Sequence, residues 1–202
     1  MRYVLTILTA VLLAACSNQA ARPTSAASAP APTAANPTVN PDGTYKQQDV
    51  LSAAEDVFGR GAKGLAEIIE RSFKERGEPS AYIVGREAGG AFVVGVRYGS
   101  GTVFHKVEGQ LPVFWTGPSI GFDAGADASR TFILVYNLND TGDLFKRYPA
   151  GEGKAYFVGG FGATYLQRDD VVLVPIKLGV GLRLGINAGY LNFTRELKKL
   201  PL

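Results

Sequence analysis

Cysteine, histidine, methionine and tryptophan each occur once in this 202-residue chain, and each scarcity removes a class of chemistry. With Cys16 alone, no internal disulfide can form and no pair of thiolates can hold zinc. With His105 alone, in "VFHKVE", a multi-histidine metal site is excluded. The residue could act as a general base, but no nucleophile is suggested near it. It reads instead as a strand histidine facing water. Charge of one sign is also missing: 21 Lys and Arg stand against 18 Asp and Glu, a balance that does not argue for nucleic acid. No Walker loop, Gly-x-Ser-x-Gly elbow or zinc spacing is found, so no cofactor is expected. Gly179-Val-Gly181-Leu-Arg-Leu-Gly185 is superficially like a dinucleotide loop. Its last spacing is off by one, and it continues as a strand pattern where a helix is required.

A long apolar run is missing too. Val4 to Ala15 covers about a dozen residues, short of the roughly 20 that span a bilayer and suited to a secretory signal. It ends in Leu13-Ala14-Ala15-Cys16, which resembles the bacterial lipobox. The resemblance implies a signal peptide over residues 1–15, cleavage before Cys16, and lipid attachment at that cysteine. Two or more acyl chains on one residue give stable membrane anchoring. Residues 16–44 then form a tether, because "SNQAARPTSAASAPAPTAANPTVNP" has too few large apolar side chains to offset its ordering entropy. Extended, it reaches on the order of 50–80 Å. By resemblance to known sorting signals, Ser17 is not an inner-membrane retention residue, and the expected location is the periplasmic face of the outer membrane.

Glycine is what the rest of the chain has in quantity. Residues 45–202 are long enough for one domain with a real core. They open with a helical period: Val50, Ala54, Val57, Phe58, Ala62, Leu65, Ile68, Ile69 and Phe73 share one face. Ser52 and Glu55 have capping-box spacing. Gly59, Gly61 and Gly64 weaken the middle, which predicts one kinked helix or two short ones, ending before Gly77. After Pro79 the period becomes two. Tyr82, Val84, Phe92, Val94, Val96 and Tyr98 fall on one parity, with Gly85, Gly89, Gly95 and Arg97 on the other. "RTFILVYNL" is apolar on both, so both its faces are expected to be covered. Twenty of the 25 glycines lie between Gly85 and Gly189. The pattern predicts a mainly β fold, a small soluble β-barrel of 8–10 largely antiparallel strands after the helices. Bulky residues would fill its interior, and glycine would permit the bend.

The chemical candidates gather in "SIGFDAGADASR". Asp123 and Asp127 would be neighbours on a helix, but the period here is two. Four strand residues span about 13 Å, beyond the roughly 5–9.5 Å of a glycosidase carboxylate pair. Asp127 to Arg130 reads as a turn opened by an aspartate. Ile120 and Phe122 are expected to point to the core and Asp123 away from it. Trp115, Tyr98, Phe114 and Phe122 could line an apolar cavity or simply be core.

Four stretches in order, "GGAFVVGVRYGSGTVFHK", "FWTGPSIGFDAGADASRTFILVYNL", "AYFVGGFGATYL" and "GVGLRLGINAGYLNFT", resemble the envelope-integrity (EipA-like) family of Gram-negative bacteria. The resemblance implies a small barrel exported to the periplasm, a role in envelope integrity and no established enzymatic activity. Gly-Gly-Ala-Phe, Tyr98-Gly-Ser-Gly101 and Gly-Pro-Ser-Ile-Gly-Phe also resemble the SYLF lipid-binding module, which implies contact with membrane lipid. The expected function is therefore that of a non-enzymatic lipoprotein. Its partners would be a membrane, through Cys16, and an envelope lipid, a glycolipid or envelope-assembly proteins. The contact candidates are Tyr98, Trp115, Phe122, Asp127 and Arg130. The alternatives are a lipid-binding module with an apolar barrel cavity and, third, an envelope-glycan enzyme centred on Asp123, Asp127 and Arg130. A transmembrane pore fits poorly, because the strands are uneven and lack a lipid-facing aromatic girdle.

Overall fold

The computed structural model describes residues 43–123, 129–178 and 189–197, with the backbone alone described at 90–94, 119–123 and 151–154. Cys16, Asp127 and the run from Gly179 to Gly185 lie outside the described residues. So do the side chains of Ile120, Phe122 and Asp123.

The helical region is two helices, α1 (Gln47–Phe58) and α2 (Leu65–Arg76). The break falls where the glycines predicted it. Gly59 takes φ +102° and Gly64 φ +89°, conformations that glycine adopts without a side-chain penalty. The capping box is not used: α1 starts at Gln47, so Ser52 sits inside it. Glu55 instead reaches forward and accepts from the backbone N–H of Gly61 at 3.2 Å. Tertiary packing of Val50, Ala53 and Ala54 fixes the helix start more strongly than one local cap could.

Seven strands follow among the described residues: β1 (Ala81–His105), β2 (Gly109–Asp123), β3 (Ser129–Tyr136), β4 (Arg147–Val158), β5 (Phe161–Arg168), β6 (Val171–Leu178) and β7 (Tyr190–Thr194). A short 3₁₀ turn, Thr141–Leu144, joins β3 to β4. The strands close in the order β1-β2-β7-β4-β5-β6-β3, every pairing antiparallel. β1 serves twice: residues 81–87 pair with β3, and residues 91–105 pair with β2. A straight strand of its 25 residues would span about 80 Å, yet its ends meet, with Lys106 N–H donating to Ser80 C=O at 3.1 Å. β1 is therefore bent back on itself, and its two runs bring the barrel to eight staves. β4 changes face partway. Its register with β5 shifts between Ala150 and Ala155, so Tyr148 faces inward whereas Tyr156 and Val158 face out.

Two cores result. The inner one takes side chains from all seven strands, including Ile83, Val103, Val113, Trp115, Ile133, Tyr148, Leu166, Leu173, Leu191 and Phe193. The outer one lies between the helices and β1, β3, β5 and β6, through Tyr82, Val84, Phe132, Leu134, Ala163, Val174 and Ile176. This explains the double apolar parity of β3: Thr131 to Tyr136 are all buried, inward against the barrel core and outward against α1 and α2. It also reverses the expectation for β1. Tyr82 and Val84 face out beneath the helices, and the parity of Gly85 faces in. The sequence pattern could not anticipate this, because the helical layer gives the outer face a second apolar environment.

Candidate functional site

Two inward glycines of β1, Gly85 and Gly99, are matched to one side chain. Trp115 is the direct cross-strand partner of Gly99, and a Cβ on Gly99 would overlap its indole. A Cβ on Gly85 would lie 2.6 Å from the far edge of the same ring, and one on Gly101 would lie 2.8 Å from the Gly85 Cα. The absent side chains of Gly85 and Gly99 thus make the cradle that a fully buried tryptophan fills, and that of Gly101 lets the two runs of β1 approach each other. Phe193 of β7 closes it from the other side, ring centre to ring centre 5.8 Å.

Above this aromatic lies a buried ionic cluster. Glu87, on the inward parity of β1, is 7% exposed. One carboxylate oxygen accepts from the Trp115 indole N–H at 2.8 Å. The other accepts from the Lys177 ammonium of β6 and lies 3.9 Å from the Arg97 guanidinium. Burial alone would push the Glu87 carboxyl up. The positive charges of Lys177 and Arg97, with the hydrogen bonds from Lys177 and Trp115, outweigh it and hold the carboxyl below its ordinary range. One carboxylate therefore ties both runs of β1 to β2 and β6. Thr131, the register partner of both Gly85 and Lys177, lies beside the cluster with its hydroxyl buried and without a hydrogen-bond partner among the described residues.

The predicted residues scatter rather than converge. Trp115 is part of the inner core and is fully buried. Tyr98 is half-buried and pairs with Thr116 on β2. The Phe122 backbone pairs with Phe92 near the end of β2. Arg130 lies at the start of β3 and donates from Nη1 to the Val57 carbonyl at 2.7 Å, where a cation complements the C-terminal end of α1. His105 does not face water. It is 3% exposed, Nδ1 accepts from Glu108 N–H at 3.1 Å, and Nε2 therefore carries the proton donated to Leu138 C=O at 2.9 Å. The correction has a simple cause: the 137–144 connection folds over the β1–β2 end and covers the ring.

Sequence reasoning passed over Glu87 and Lys177. The signal was present, since each is a charged residue at an inward position of an otherwise apolar or glycine-rich strand. Only their meeting across the barrel gives it meaning. Among the described residues, no group of three or more His, Cys, Asp or Glu side chains is placed to hold a metal ion. None of the described helices is long and apolar enough to cross a membrane.

No curated protein matches the chain. A crystal structure of a β-barrel-like, uncharacterized protein from Brucella abortus is similar to it, with 41% sequence identity and a TM-score of 0.73 over 79% of this chain and 99% of that one. The sequence profile of envelope integrity protein A matches residues 43–202. The match takes in both helices and every described strand, and the chain belongs to the envelope integrity protein A family.

Proposed function

We propose that this protein is a non-enzymatic periplasmic lipoprotein, held at the inner leaflet of the outer membrane through Cys16, which supports envelope integrity by contacts of its barrel with envelope lipid or envelope-assembly proteins. The observation that carries the reading is the family match over the whole helix-and-barrel region, because it ties this fold to the envelope. The interior supports contact by the outer surface. The buried Glu87 carboxylate is engaged by Trp115 and Lys177, and the indole fills the cradle left by Gly85 and Gly99. These groups hold the barrel together, which leaves its rims and outer face for recognition.

Deletion of the gene is expected to sensitise cells to detergent and to large antibiotics, and re-expression of the whole chain to restore resistance. A clean deletion that matches its parent under several envelope stresses removes the proposal. Cys16→Ala is expected to abolish labelling by an alkyne fatty acid and to release the protein from the membrane fraction. Persistent labelling of that variant would place the acyl chain elsewhere.

A further inference from the structure

We infer that the end of the barrel carrying the β4–β5 turn is a docking surface for a bilayer rich in anionic phosphate headgroups. This rests on the lipid-contact reading above and names its surface. The argument begins with a like-charge pair. Arg86 and Arg130 are direct cross-strand partners on β1 and β3, on the outward parity, and both are exposed. Like charges placed opposite each other destabilise a sheet. Arg130 meets a carbonyl at the end of α1, which brings it beside the α1–α2 connection with its exposed Arg60 and Lys63. Among the described residues, none of Arg60, Lys63 and Arg86 meets a carboxylate.

The same connection abuts the β4–β5 turn, since a Cβ on Gly64 would lie 2.8 Å from the Gly159 Cα. Beside that turn stand two exposed apolar side chains, Phe157 at 42% and Leu178 at 51%. Cations that meet no carboxylate among the described residues, set around an exposed aromatic and an aliphatic side chain, are the chemistry of an anionic lipid interface. The other end of the barrel also exposes an apolar side chain, Val107 at 76%, but most of its cations are engaged. There Lys146 pairs with Asp143 at 2.8 Å and Arg168 lies 3.7 Å from Asp169. Arg147, Arg195 and Lys106 stand over aromatic rings, with Lys46 apart from them. The described chain begins at that second end, where Tyr45 N–H donates to Pro79 C=O at 2.9 Å. A tether reaching on the order of 50–80 Å exceeds the roughly 26 Å length of the eight-residue β3. An anchor joined at one end therefore leaves the other long enough a leash to meet the same membrane.

The test uses the chain from Ser17 onward, which keeps every described element and carries no acyl group. It is sedimented with phosphatidylcholine vesicles, with and without phosphatidylglycerol. Binding is expected only to the anionic vesicles and to weaken with salt. The triple variant Arg60→Gln, Lys63→Gln, Arg86→Gln is expected to lose roughly fivefold per cation, on the order of 100-fold in all. The pair Phe157→Ser, Leu178→Ser should weaken binding while leaving its salt dependence intact. Fluorescence of Trp115 checks that each variant is folded. Equal binding to both vesicle types, no vesicle binding, or a triple variant that binds like its parent each overturns the inference. So does retention on polyglutamate without vesicle binding, which would assign the surface to an acidic protein. A deletion strain without phenotype would remove the envelope role yet leave vesicle binding untouched, so the two failures are distinguishable.

Discussion

Glu87 carries the largest consequence of any single residue. Glu87→Ala would remove the buried carboxylate that the Lys177 ammonium and the Arg97 guanidinium share, a change that costs up to about 3–5 kcal/mol. The expected readout is a lower urea midpoint followed by Trp115 emission, the chain's one tryptophan. The same group sets a pH dependence. Its carboxyl titrates lower in the folded protein than in the unfolded chain, so its contribution is complete above the ordinary Glu range. That contribution fades as pH falls through the folded value. Urea midpoints measured from neutral to strongly acidic pH should therefore decline for the parent and flatten for Glu87→Gln. Parallel curves would contradict this. Tyr136 works in the opposite sense. Its hydroxyl is buried without a partner among the described residues, and Tyr136→Phe is expected to be neutral or to gain up to about 1 kcal/mol. A clear loss of stability would reveal an acceptor for that hydroxyl.

At the scale of elements, close approach decides which glycines matter. Gly99→Ala forces a methyl group into the Trp115 ring, and overpacking of this kind costs about 1–3 kcal/mol or more. A blue- or red-shifted indole emission should accompany the loss. Gly159, at φ +56° in the β4–β5 turn, packs against the backbone of Lys63 and Gly64. Gly159→Ala should therefore loosen the helices from the barrel as well as strain the turn. By contrast, a Cβ on Gly109 would meet nothing within 4 Å, and its positive φ of +85° is the main constraint there. Arg130→Ala removes one charge-assisted hydrogen bond to the end of α1. Faster amide exchange in α1 is expected, at a cost of about 1 kcal/mol, with β3 unchanged. The α2 face is held differently, by Glu75 accepting from the hydroxyls of Tyr156 at 2.9 Å and Tyr165 at 3.2 Å.

For the whole molecule, the sequence by itself determined the order and class of the elements. The change of period after Pro79 separated helices from strands, and glycines at 59, 61 and 64 divided α1 from α2. Apolar residues on both parities of β3 announced that both its faces are covered. These are local properties, set by backbone conformation and by which neighbours along the chain can be buried. What only the tertiary structure decided is which way each parity faces and which distant residues meet. Tyr82 and Gly85 exchanged their expected sides because the helices cover the outer face of the same strand. His105 went inward because a connection more than 30 residues away folds over it. Glu87, Arg97 and Lys177 became one cluster because β1 bends back and the barrel closes through β3 and β6. Burial of a charge is a property of that closure: the carboxylate can remain ionised there only where cations from distant strands arrive with it.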